Sequence, residues 1–238
     1  SFKTTTMLNF NSYLDNEEAI NEGVYDKHIF KAFFLAGGPG SGKSWVSART
    51  LMGQGMKVIN SDDGFERYAK NAGLNLKKMG SFTAAQTKKK DALRSRAKVG
   101  TAYMHQHAID GRLGMILDST ARDTARIESE AQSMRYLGYD TYMVFVNTTL
   151  EVALKRNEMR PRSVPEPIVI NSHRQIQKNI PKLRAIFGSK NFVEVDNSVE
   201  AEDVNIKVYK EIQKLVRSKP SSPMAQAWIN NELAKKRR

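Results

Sequence analysis

Gly37-Gly38-Pro39-Gly40-Ser41-Gly42-Lys43-Ser44 fills every defined position of the pattern G-x-x-x-x-G-K-[ST]. The apolar run 30–36 before it reads as a buried strand, and the stretch through Leu51 after it reads as a helix. Strand, glycine loop and helix in that order distinguish a phosphate loop from a chance glycine-rich turn. Gly38, Pro39, Gly40, Ser41 and Gly42 let the backbone fold tightly, so that successive N–H groups and a helix N-terminus face an anion. In such a loop Lys43 reaches the β- and γ-phosphates and the Ser44 hydroxyl sits on Mg²⁺. The pattern therefore implies ATP and Mg²⁺.

The 238 residues suit one medium α/β domain. The sequence divides into an N-terminal extension over 1–25, a phosphate-loop domain over 26–218, and a linker with a basic helix over 219–238. Forty per cent hydrophobic residues are enough for a core, and the lack of cysteine excludes disulfides and thiolate metal sites. No apolar run approaches the ~18–20 residues of a membrane span. Residues 1–16 lack the basic-then-apolar layout of a secretory signal. These features predict a cytoplasmic protein with no membrane partner. The formal net charge is +13, and it is uneven. Residues 77–98 carry eight Lys/Arg against Asp91, and residues 155–190 carry nine against Glu158 and Glu166. Such a field suits nucleic acid, DNA foremost, as a partner; solvated helix faces and contacts to the triphosphate are the alternative.

Five β-prone runs, 30–36, 56–60, 113–117, 141–146 and 192–195, alternate with helical patterns. That alternation, with the loop, predicts an α/β, three-layer fold of the phosphate-loop NTPase kind, a five-stranded parallel sheet with helices on both faces; the arginines that follow the fourth strand add an arginine-bearing lid to it. Helices are expected over 83–109, with a break near Gly100, and over 124–137, 150–159 and 171–187, the last kinked or restarted at Pro181. Lys219-Pro220-Ser221-Ser222-Pro223 reads as a linker before a short helix bearing Trp228, Ile229 and Leu233.

In an open parallel sheet, functional groups collect past the carboxyl ends of the strands. The second strand ends in Asn60-Ser61-Asp62-Asp63 and the third in Asp118-Ser119-Thr120. A kinase needs a carboxylate to orient the acceptor hydroxyl and take its proton, and Asp62 suits that task, with Asp63 the neighbour that competes for it. Either residue also suits the cap of a helix from Gly64. Asp118 is placed to help hold Mg²⁺ or to face the acceptor; capping the next helix is its other use, and Asp123 competes for that. Arg156 and Arg160, with Arg162 just beyond, follow the fourth strand where a lid over the triphosphate belongs. His105 and His107 lie two apart, on different helix faces, so no shared metal is assigned. Trp45, Tyr136, Tyr139 and Tyr142 are read as packing.

Taken together, these motifs resemble the kinase domain of bacteriophage polynucleotide kinase and, more distantly, the zeta-toxin kinases. The resemblance spans roughly residues 30–187 and rests on Gly38 to Ser44, Ile59 to Asp63, Asp118-Ser119-Thr120 and Lys155 to Arg160. It implies that Lys43 and Ser44 bind triphosphate and metal, that Asp62 is the base and that Asp118 lies at the acceptor. Arg160 is then the lid arginine, while Arg162-Ser163-Val164-Pro165 resembles the zeta-toxin lid and makes Arg162 a second candidate. The chain departs from the phage pattern at the acceptor: Ser61 and Phe65 stand where arginines are expected, with Arg67 two positions late. The function this implies first is transfer of the γ-phosphate of ATP to a hydroxyl of nucleic acid, at a 5′-OH end or a hydroxymethylated base. A zeta-toxin-like kinase of a small molecule such as a nucleotide sugar, and a nucleotide-switched nucleic-acid-binding protein, are the alternatives.

Overall fold

The five apolar runs are all strands of one sheet in the computed structural model, which describes residues 24–51, 55–159, 164–199 and 202–237. The chain runs β1 (Lys31–Gly37), α1 (Lys43–Thr50), β2 (Lys57–Ile59), α2 (Ser61–Asn71), a 3₁₀ segment (Leu76–Ser81), α3 (Ala84–Asp110), β3 (Met115–Asp118) and α4 (Thr124–Tyr136). It continues through β4 (Asp140–Asn147), α5 (Leu150–Glu158), α6 (Glu166–Phe187), β5 (Phe192–Asp196), α7 (Glu202–Arg217) and α8 (Pro223–Lys236). The N-terminal extension, but for Val24 and Tyr25, lies outside the described residues.

All pairings are parallel and the strand order is β2-β3-β1-β4-β5. β1 is central and buried along its whole length, as a continuous apolar strand covered on both faces must be. Leu35 is in register with Asp118, and Ile59 with Leu117, so β1, β2 and β3 finish at one edge of the sheet. Alternate side chains divide the core. Phe34, Leu117, Met143 and Phe145 pack under α4, α6 and α8; Phe33, Ile116, Val144 and Val195 pack under α1 and α7. A third, smaller cluster of Phe65, Ala69, Leu74 and Ala97 joins α2 to α3.

Several expectations need correction. α3 is unbroken at Gly100, where a Cβ would meet nothing within 4 Å. One glycine in a helix whose N-terminus carries a full Thr83–Gln86 capping box is a local cost of ~1 kcal/mol, not a stop. α6 starts at Glu166 rather than 171, with Pro167 in its first turn, where a missing N–H costs nothing. It also continues through Pro181, an exposed position, while Ile176, Leu183 and Phe187 lock the helix to the core on either side. α2 begins at Ser61, three residues before the expected Gly64, and α7 was not expected at all.

The stretch 219–222, which reads as a linker, is tied to the sheet. Lys31 is fully buried, with its Nζ 2.6 Å from Asp140 Oδ2 and 2.9 Å from Ser218 Oγ. The Ser221 hydroxyl donates to the other Asp140 oxygen, and Ser221 N–H donates to it at 3.1 Å. Burial lowers the Lys31 pKa despite these partners. Beyond it, Ala225 of α8 is buried and Trp228 meets Phe30 edge-on at 5.6 Å, so α8 joins the main core. Tyr139 and Tyr142 are buried as expected, but Tyr136 is exposed. Among the described residues no helix is long and apolar enough to cross a membrane.

Candidate active site

The phosphate loop connects β1 to α1 at the carboxyl edge of the sheet. Gly40 and Gly42 have φ of 75° and 84°, the left-handed region that glycine enters without strain. A Cβ at Gly40 would strike the Ala153 carbonyl, and one at Gly42 the Asn197 amide. The loop is braced from behind. Asn197, buried just past β5, donates from Nδ2 to Ser41 O at 2.8 Å, and its own N–H donates to Asn147 O at 2.9 Å. Arg156 donates from Nη1 to Asn197 O at 2.7 Å, which sets it beside Gly42. The expected triphosphate contact is thus attached to the flank of the loop. Lys43 folds back so that Nζ lies 3.2 Å from Gly37 O and 3.9 Å from Asp118 Oδ1.

Asn60 organises the acidic residues. Its Oδ1 accepts the Asp62 N–H at 2.8 Å and caps α2, while its Nδ2 donates to Asp118 Oδ2 at 3.1 Å. Neither Asp62 nor Asp63 is therefore a cap; both lie in the first turn of α2. Asp123 caps α4 by accepting the Arg126 N–H at 3.0 Å, which releases Asp118 from that duty as well. Burial raises the Asp118 pKa, Asp62 and Asp63 push the same way, and Lys43 opposes them. Asp62 faces Arg94 of α3, whose Nη2 is 3.1 Å from its Oδ1.

Lys43, Asp62 and Asp118 line one cavity of ≈ 640 Å³ together with residues of α3 and α4. α3 contributes Arg94, Lys98, Thr101 and His105 to its wall, and α4 contributes Arg126 and Glu130. His105 is partly buried, and desolvation lowers its pKa against the pull of Glu130, so the ring is neutral around pH 7. Asp62 is part of the lining and Asp63 is not. Arg160 and Arg162 lie outside the described residues. Asn60, Arg94, Lys98 and Asn197 are the site residues that sequence reasoning missed. The spacing of Arg94, Lys98, Thr101 and His105, one face of a helix, was the available signal for three turns of the wall.

A family model described as Zeta toxin matches residues 24–219. The chain belongs to the zeta toxin family. Of the two resemblances carried by its motifs, the zeta-toxin one is therefore the family relationship, and the chain has a phosphate-loop kinase fold. A structure of the PezAT chromosomal toxin-antitoxin system of Streptococcus pneumoniae aligns at 14% identity, covering 87% of this chain and 92% of that one, with a TM-score of 0.52. A structure of AvrRxo1-ORF1 with AvrRxo1-ORF2 and sulphate ions aligns at 16% identity, covering 84% and 71%, with a TM-score of 0.52. A putative kinase from Chloroflexus aurantiacus gives 14%, 78% and 96%, with a TM-score of 0.48. At these identities the likeness to the first two is one of fold. No curated protein matches the sequence.

The residues of this zeta toxin family member fit a nucleoside triphosphate and Mg²⁺. The loop is a cradle that any Cβ at Gly40 or Gly42 would fill, and Lys43 is the cation within reach. No group of three or more His, Cys, Asp or Glu that would hold a metal alone occurs among the described residues. Mg²⁺ does not need one, because it keeps waters and takes phosphate oxygens beside one or two protein ligands.

Proposed function

We propose that the chain is an ATP-dependent kinase whose acceptor is a hydroxyl of a small polar molecule, a nucleotide sugar foremost. The observation that carries this reading is the cavity of ≈ 640 Å³ lined by Lys43, Asp62 and Asp118 together with polar side chains of α3 and α4. That volume is in the range of pockets that hold single small ligands. In the reaction the acceptor oxygen attacks the γ-phosphorus, the bond to the bridging oxygen breaks with its electron pair left on ADP, and Asp62 takes the hydroxyl proton. Lys43 neutralises charge on the β- and γ-phosphates. Ser44 and Asp118 would hold Mg²⁺, whose charge supports the same phosphates. Asn197 and Arg156 keep the loop shaped for its anion. Arg160 and Arg162 retain the lid role as part of the proposal, with Arg160→Ala expected to lower kcat far more than it changes the KM for ATP.

A hydroxyl of nucleic acid is the second reading, favoured by the exposed lysines Lys88 and Lys89 on the outer part of α3. Incubation with γ-labelled ATP and separate panels of nucleotide sugars, 5′-OH DNA and RNA, and hydroxymethyl-pyrimidine DNA decides between them. Label in a nucleotide sugar is the expected result. Label only in polymer would move the acceptor outside the cavity, and label in none with ATP still bound would remove both readings.

A further inference from the structure

The Asp62 carboxylate is engaged before any acceptor is present. Arg94 Nη2 donates to Asp62 Oδ1 at 3.1 Å, across the gap between α3 and α2. The guanidinium carbon also lies 5.1 Å from the centroid of the Phe65 ring, and Phe65 is buried in the cluster that joins the two helices. Asp62 does not need Arg94 for its place, because Asn60 already fixes its backbone N–H. What Arg94 does is hold one of the two carboxylate oxygens, and so fix the way the carboxylate is turned toward the cavity. One turn along α3, Lys98 lines the same cavity and has no ion-pair partner among the described residues.

We propose that Arg94 restrains Asp62 in the acceptor-free protein and releases it when an acceptor bearing an anionic group draws the guanidinium away, with Lys98 as the second cation. The proposal rests on the reading of Asp62 as the base. Arg94 is then a specificity-determining residue: an anionic acceptor frees the carboxylate as it delivers its hydroxyl, whereas water and neutral alcohols leave it occupied. The pair is solvent-exposed on both sides, at 39% and 59%, so the restraint is a modest one that an arriving anion can overcome.

Hydrolysis of ATP without acceptor reads the restraint directly. In that reaction a water oxygen attacks the γ-phosphorus, the β–γ bridge breaks with its electron pair left on ADP, and the water proton passes to Asp62 and then to solvent. Arg94→Gln should raise the rate about two- to fivefold, the span set by an exposed ion pair. Asp62→Asn should fall below wild type, and the double variant should match Asp62→Asn alone. Arg94→Met, which keeps the packing on Phe65, repeats the test should the glutamine variant fold poorly. Melting temperature and affinity for a fluorescent ATP analogue confirm that fold and nucleotide site are intact. Arg94 variants at or below wild type, with Asp62→Asn lowered, overturn the restraint and leave the base standing. A rise that persists in the double variant overturns it too. Wild-type hydrolysis by Asp62→Asn removes the base itself, and the restraint with it.

Discussion

Asp118 carries a charge in surroundings that disfavour it, with burial as the main cause and Asp62 and Asp63 adding to it. An acid whose folded pKa lies above its unfolded value destabilises the fold at every pH above the folded pKa. That penalty is lost as pH falls through the folded pKa and is absent below the unfolded one. Asp118→Asn should therefore melt higher than wild type near neutrality, and the gap should close as the pH is lowered. The same variant should transfer phosphate poorly, so melting curves and a kinase assay must move in opposite directions. Lys43→Ala should abolish transfer with the circular dichroism spectrum unchanged, since it removes charge at the β- and γ-phosphates and no core contact. Asp62→Asn should cost about 10²–10⁴ in rate with ATP affinity kept. Asp63→Asn should cost little, as that side chain lies off the cavity; a reversed pattern would mean that the roles of the pair are exchanged.

The strands were legible because a buried parallel strand is written as an unbroken apolar run, and each of the five was readable to within two residues at either end. The first turn of α2 was hidden by its composition, Ser61-Asp62-Asp63-Gly64, and in the whole helix only Phe65 and Ala69 are buried, against α3 rather than the sheet. α7 carries its signal in Val208, Ile212 and Val216, four apart and all buried. In the site, the loop and the strand-end aspartates were readable from local spacing. Asn60 and Asn197 were not, because Asn60 reaches Asp118 and Asn197 reaches Ser41 through hydrogen bonds to partners distant in the chain. Two element-level variants probe this. Gly40→Ala drives a methyl into the Ala153 carbonyl and should abolish binding of a fluorescent ATP analogue. Trp228→Ala should lower stability by about 1–3 kcal/mol in urea melts, less than the 3–5 of a fully enclosed aromatic, because the ring is only partly buried against Phe30.

Across the whole molecule the positive charge is spread over different tasks. Within the basic run 77–98, Arg94 and Lys98 face the cavity, Arg96 lies over the Tyr68 ring, and Lys89 donates to the Ala72 carbonyl. A net charge of +13 still attracts DNA in dilute buffer. Such binding should follow counterion release and collapse between about 50 and 200 mM salt, whereas labelling of a small acceptor should persist. DNA retention that survives the higher salt would show a built polymer site. The strap of Lys31, Asp140 and Ser221 has a practical consequence for experiments of this kind. It fastens α8 near the amino ends of the strands, while the phosphate loop is at the other pole, ~20 Å away along the seven residues of β1. The sequence contains no cysteine, so one thiol placed at exposed Asn231 would be the sole target for maleimide dyes or beads. Tethered there, single molecules could be watched through successive turnovers with the catalytic mouth turned toward free solution.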